Sequence, residues 1–182
     1  MLDTNIHDVQ IEQAVLAALM TVSGSYAQVE NLLTEDDFHA TRHKVIFNAV
    51  VGLDAKNSPY DAVLVNQWLQ AHGFNEASGG EQYLMQILGD APSSFYNLVS
   101  YAEKLKDFTA CRKVESEAQK IILNARRLTV SRGDLVLNAQ AAFADISTEQ
   151  STESLFHIHD AASNTFAEIS RKMEAMIVGK TR

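Results

Sequence analysis

The chain has 182 residues, 46% hydrophobic and 21% charged, with one cysteine and two prolines. That balance suits a soluble globular protein with a real core, while the lone Cys111 excludes an intrachain disulfide and suits a reducing cytosol. The net charge of −8 is uneven: residues 1–100 carry twelve acids and three bases, a net of −9, and residues 101–182 carry eleven acids and twelve bases, a net of +1.

An acidic first half repels phosphate. The basic residues of the second half (Lys104, Lys106, Arg112, Lys113, Lys120, Arg126, Arg127) alternate with Glu103, Asp107, Glu115 and Glu117. Such interleaving marks a solvated helix with ion pairs rather than a nucleic-acid stripe. Little or no direct DNA binding is expected. The start, Met1-Leu2-Asp3-Thr4, has neither the basic opening nor the apolar centre of a leader, and no apolar run approaches the roughly 18 residues of a membrane span. A cytoplasmic protein is expected.

The first predicted helix runs from about Asp8 to Thr21, with Val9, Ala14, Val15, Leu19 and Met20 at helical spacing. Ser23-Gly24-Ser25 ends it. A short helix over Tyr26–Leu33 turns Val29, Leu32 and Leu33 inward, and Thr34-x-x-Asp37 forms a capping-box variant that delivers Phe38 to the core. A longer helix from Thr41 to about Ala55 buries Val45, Ile46, Ala49, Val50 and Leu53, until Asn57-Ser58-Pro59 breaks it. Asp61 caps the next helix, whose apolar face is Val63, Leu64, Val65, Trp68 and Leu69. His72-Gly73 stops it. Ser78-Gly79-Gly80 opens a further helix carrying Tyr83, Leu84, Ile87 and Leu88.

After Asp90-Ala91-Pro92 a long helical segment extends from Phe95 to about Arg127. Val99, Leu105, Phe108, Val114, Ala118, Ile121 and Ile122 give it an apolar edge. Ser131-Arg132-Gly133 is a turn, and Asp134 caps a second helix through Ile146 with Leu135, Leu137, Ala141, Ala142 and Phe143 as packing positions. The two form a helical hairpin. The polar stretch 147–157 reads as a linker. Beyond it, a last helix within 158–178 places Phe166, Ile169, Met173 and Met176 along one side, leaving a tail at 179–182. No segment has strand periodicity and no repeat is present. The fold class is all-α.

Several fragments imitate chemistry. Gly179-Lys180-Thr181 copies the end of a phosphate-binding loop, but Glu174 stands where the earlier glycine belongs, and a helix rather than a strand precedes it. His157-x-His159 lacks the spacing and the further ligands of a metal site. His43 begins a helix with apolar inward positions, where it caps or packs, and a catalytic role would need an oriented partner that the sequence does not show. Glu35-Asp36-Asp37 sits in a first helical turn, where the macrodipole favours acids. Cys111 beside Arg112 and Lys113 reads as a packed or surface thiol. No catalytic, cofactor or metal residue is assigned.

Association remains. The edge through Leu105, Phe108, Val114, Ile121 and Ile122, with Leu135 and Phe143 across the hairpin, either completes this domain's own core or forms a subunit interface, because periodicity does not assign the partner of a buried face. The tethered last helix either docks in a groove through Phe166, Ile169, Met173 and Met176 or folds back on its own domain.

An ordered series of short patterns organises the middle of the chain. It runs Asp37-Phe38, then Arg42-His43-x-x-Ile46-Phe47, Pro59-x-Asp61, Gly79-Gly80-x-x-Tyr83-Leu84, Ala91-Pro92-Ser93, Asn97 and Tyr101-Ala102. Together with Ile11-Glu12-Gln13-Ala14-Val15-Leu16, this order and spacing resembles the N-terminal domain of the bacterial replicative DNA helicase, the DnaB family. The likeness covers about Asp8 to Arg127 and continues more weakly into the last helix. Many relatives carry a proline pair before the first helix and a glycine where Ala17 stands, and isoleucine is the more usual residue where Tyr60 stands.

The resemblance implies a compact helical bundle over 1–94, a hairpin over 95–146 that pairs subunits into a dimer and a hexamer collar, and a linker helix that docks on the motor domain of the adjacent helicase subunit. It implies primase as a partner, with a helicase loader as a further one. The motor domain, with its ATP and magnesium, is expected beyond Arg182, so this chain alone is not expected to be an enzyme. It would then be a fragment, the product of a truncated gene or a stand-alone relative. The rival expectation is a stand-alone regulator that binds a helicase ring to load or inhibit it.

Overall fold

The computed structural model describes residues 6–90, 97–127, 131–142 and 144. The expected linker at 147–157, the helix within 158–178 and its face (Phe166, Ile169, Met173, Met176) lie outside the described residues, as do Phe143, the two histidines and the tail at 179–182. Among the described residues the protein is all-α. The chain divides into two compact units, Met1–Glu115 and Ser116–Arg182.

In the first unit α1 (Val9–Thr21) is the central helix, buried from Ala14 to Met20. Asp8 starts it by accepting from the amides of Gln10 at 2.9 Å and Ile11 at 3.3 Å, satisfying donors that have no helical partner. Helix α1 packs against α2 (Thr41–Asp54), α3 (Ala62–Ala71) and α5 (Gly80–Asp90).

The expected helix over Tyr26–Leu33 is instead a single 3-10 turn, Ser25–Gln28, followed by further turns. Its hydrogen bonds span three residues, as from the Val29 amide to the Tyr26 carbonyl. The winding is tighter, yet Val29, Leu32 and Leu33 still face inward. The Asp37 carboxylate then accepts from the Thr34 amide at 2.7 Å and the Thr34 hydroxyl at 3.0 Å. This closed turn places Phe38 in the core against Phe47, with ring centroids 4.9 Å apart. Burying such a ring contributes about 1.5–3 kcal/mol.

Helix α2 buries His43 and Phe47 as well as Ile46, Ala49, Val50 and Leu53, while Val45 is only half-buried. Asp61 caps α3 by accepting from Val63 and Leu64. Tyr60, just before it, is buried, and its hydroxyl accepts from the Tyr26 amide at 3.1 Å. Val63, expected on the apolar face of α3, is 61% exposed. The buried line of α3 runs through Val65 and Leu69, and Val63 lies on a different side of the helix. A one-turn helix, α4 (Asn75–Ser78), intervenes before α5.

The Gly79-Gly80 pair between α4 and α5 has positive φ at both residues, 84° and 66°, a conformation that side chains resist. A Cβ on Gly79 would also lie 2.9 Å from the Cβ of Tyr83. The pair lets α5 begin at once and keeps Tyr83 directed into the bundle.

Helix α6 (Leu98–Arg127) begins within the first unit. Leu98, Ala102, Leu105 and Thr109 form its buried line, at helical spacing. Val99, expected on the same edge, is one position out of phase and exposed.

In the second unit the helix at 132–142 is capped by Ser131, not by Asp134 as the sequence suggested. The Ser131 hydroxyl accepts from the Asp134 amide at 3.2 Å and donates to the Asp134 carboxylate at 2.7 Å. The helix therefore starts one turn earlier. Its second element, the end of α6, is laced by the Lys120–Glu117 pair at 2.6 Å.

Candidate association surfaces and the polar chain inside the bundle

Glu12 of α1 is 1% exposed in a helix that is otherwise apolar inward. Such a carboxylate needs donors, and three converge on it. The His39 amide donates at 2.9 Å, the Ala40 amide at 3.3 Å and the His43 Nδ1 at 2.5 Å. Glu12 therefore serves as an N-terminal cap for α2 supplied from another helix. Burial pushes its carboxyl pKa up, but the hydrogen bonds from His43 and from the His39 and Ala40 amides outweigh that and hold it below its ordinary value.

The chain continues through the imidazole. Because Nδ1 carries its hydrogen toward Glu12, a neutral His43 accepts at Nε2, where the Tyr83 hydroxyl lies at 2.6 Å. The Gln13 amide in turn donates to that hydroxyl at 3.1 Å, and the Arg42 guanidinium lies 4.7 Å from the Tyr83 ring centroid. Carboxylate, imidazole and hydroxyl in this order imitate a catalytic triad. Here, however, each of these polar atoms already has a partner within the protein. The arrangement ties α1, α2 and α5 together. No group of three or more metal-ligating side chains occurs among the described residues.

A second polar junction joins α6 to the chain start. Arg112 Nη1 donates to the Ile6 carbonyl at 3.2 Å, and Nη2 donates to the carbonyls of Asp36 and Asp37 at 3.1 and 3.0 Å and to the Thr109 hydroxyl at 2.8 Å. Lys106 faces the buried Asp37 carboxylate at 3.6 Å. Alongside, the rings of His7 and His39 stack with centroids 4.0 Å apart. Partial desolvation and the neighbouring His7 lower the pKa of His39, which stays exposed at the surface.

The residues expected at a subunit interface separate into different environments. Leu105 is fully buried in the chain's own core, its side chain covered by the bundle. Phe108 is half-buried and packs on that core. Val114 and Ile122 are 41% and 51% exposed, and Ile121 and Leu135 are intermediate. Two further exposures escaped the sequence reading, Leu123 and Val136, each about half exposed, and Leu137, expected to pack, is 64% exposed. Helical spacing alone signals such faces but not which of them stays uncovered.

No helix among the described residues is long and apolar enough to cross a membrane. The family model described as "DnaB-like helicase N terminal domain" matches residues 4–107. The chain is 27% identical over 119 residues to the replicative DNA helicase DnaB of Haemophilus influenzae, covering 65% of this chain and 25% of that protein. It is 25% identical over 164 residues to the replicative DNA helicase DnaC of Bacillus subtilis, covering 90% of this chain and 36% of that one. It thus spans about a quarter to a third of the length of the curated relatives it matches.

Among solved structures, the N-terminal domain of DnaB helicase from Mycobacterium tuberculosis superposes with a TM-score of 0.70 at 24% identity, covering 76% of this chain and 97% of that one. A DnaB-like replicative helicase, described with its interactions with primase, superposes with a TM-score of 0.59 at 22% identity, covering 76% of this chain and 31% of that one. At these identities the structures establish the shared fold. The match over residues 4–107 establishes more than the fold: this chain belongs to the DnaB-like helicase N-terminal domain family.

Proposed function

We propose that this chain is the scaffold portion of a replicative helicase, acting through association rather than catalysis. Its hairpin region pairs subunits, the pairs build the collar of a hexamer, and the collar receives primase during DNA replication. The segment at 158–178 docks on the motor domain of the adjacent subunit through Phe166, Ile169, Met173 and Met176, and a helicase loader is a further partner. ATP and magnesium act in the motor domain, and the scaffold itself requires neither.

The observation that carries the reading is the set of uncovered aliphatic side chains in the second unit. Ile122 and Leu123 on one helix, and Val136 and Leu137 on the other, are each about half exposed or more. Aliphatic side chains exposed to this degree on both helices are the kind that association covers. The family supplies the kind of partner, a second helicase subunit.

Light scattering over a concentration range, on residues 1–182, on 1–150 and on Leu137→Asp, tests this. A dimer or larger species retained in 1–150 and lost in Leu137→Asp is expected. A monomer for all three at high concentration would overturn hairpin-driven pairing.

A further inference from the structure

The first unit carries a second surface, away from the polar chain around His43. Helices α3 and α5 frame an open groove of about 310 Å³. Val63 and Gln67 form one ridge, Glu81 and Met85 the other, each pair four residues apart and so on one side of its helix. Leu84 supplies a buried apolar floor. On the two ridges Val63 is 61% exposed and Met85 55% exposed, in positions where a solvated helix would carry polar residues.

The polar lining and its charge specify the occupant. Asn66 lines the groove and is 8% exposed, yet its Oδ1 is buried without a hydrogen-bond partner. Glu81, at the rim, forms no ion pair with the described residues, and the sequence around it is acidic, with a net charge of −9 over residues 1–100. A groove with an apolar floor, a flexible methionine on its wall and an unpaired carboxylate at its edge fits an amphipathic helix.

We propose that the α3–α5 groove docks a helical segment of a partner protein, with an aliphatic side chain seated over Leu84 between Val63 and Met85, and a lysine or arginine set against Glu81. The inference rests on the groove alone and stands or falls independently of hairpin pairing.

Fluorescence anisotropy on residues 1–182 tests it with two labelled amphipathic peptides of equal length, one built on leucine and lysine and one on leucine and glutamate. The leucine–lysine peptide is expected to bind at least about tenfold more tightly. Val63→Asp abolishes that binding, and Glu81→Lys reverses the charge preference. Glu103→Lys, an equal charge change on exposed α6, leaves both affinities in place, which separates docking from general attraction to an acidic protein. Helicity by circular dichroism confirms that each variant folds, as expected for exposed positions. Equal binding of the two peptides, or equal effects of Glu81→Lys and Glu103→Lys, would overturn the proposal. So would a fall in the protein's own solution mass on Val63→Asp, which would assign the groove to a second copy of this chain.

Discussion

Glu12 and His43, thirty-one residues apart in sequence, meet at 2.5 Å inside the bundle with neither side chain more than 1% exposed. Removing one member of such a pair leaves the other buried without its partner, a larger cost than the pair's net worth. Glu12→Ala strands the His39 and Ala40 amides as well and should destabilise the protein by about 3–5 kcal/mol. Tyr83→Phe removes the hydroxyl's two neutral hydrogen bonds, to His43 and from Gln13, and should cost about 1–2 kcal/mol. Urea denaturation of both variants checks the order.

Acid should act on the same carboxylate. Its folded pKa lies below the ordinary 4.5, so the unfolded chain takes up this proton first as pH falls. The contribution to stability is therefore complete above about 4.5 and is lost as pH drops through the folded value. Thermal midpoints measured from pH 6 to pH 3 should fall more steeply for the wild type than for Glu12→Gln.

His39 predicts a separate window. Its folded pKa is lowered from 6.5 by partial desolvation and by stacked His7, so the unfolded form binds the proton more readily. Stability is full above about 6.5 and declines as pH falls toward the folded value, then levels off. His39→Gln should flatten the midpoint between pH 7.5 and pH 5.5, with the acid limb from Glu12 unchanged.

Arg112 offers a test of geometry against charge. Arg112→Ala should cost about 2 kcal/mol, the range for hydrogen bonds from a charged donor. Arg112→Lys should recover little, since an ammonium group cannot span the Ile6 and Asp36–Asp37 carbonyls as a planar fork does. Denaturant midpoints, with equal slopes, would establish this.

Phe108 separates core from interface. Its ring packs against the cluster that includes Leu105, so Phe108→Asp should lower the thermal midpoint and cost about 2 kcal/mol or more. Unchanged stability with reduced solution mass would place Phe108 at a subunit contact instead.

Local rules made much of this fold legible. Asp8 and Asp61 announce their helices because a carboxylate before an apolar-periodic run has one evident use, and Gly73 stops α3 with φ at 78°. Phase is harder. Val63 and Val99 are as apolar as their buried neighbours, and a shift of one position decides which side of a helix meets the core. The polar chain was least legible. Glu12 stands three residues before Val15 and four before Leu16, a signal of an inward carboxylate. Nothing local, though, names His43 as the acceptor's partner, because that pairing is made only when α1 and α2 cross. The uncovered faces of the second unit and of the α3–α5 groove depend likewise on what fails to pack there, which periodicity does not encode.

The position of α1 also sets an order of events during synthesis. It leaves the ribosome before α2 to α6, yet it packs against α2, α3 and α5. Until residue 90 has emerged, the apolar run Ala14–Met20 lacks part of its cover, and Glu12 and His43 lack the tyrosine that completes their chain. A nascent chain halted between α3 and α5 would thus present an apolar helix to solvent, in the condition that recruits chaperones. The core closes only when α5 and the start of α6, with Leu98, Ala102 and Leu105, have followed α1 out.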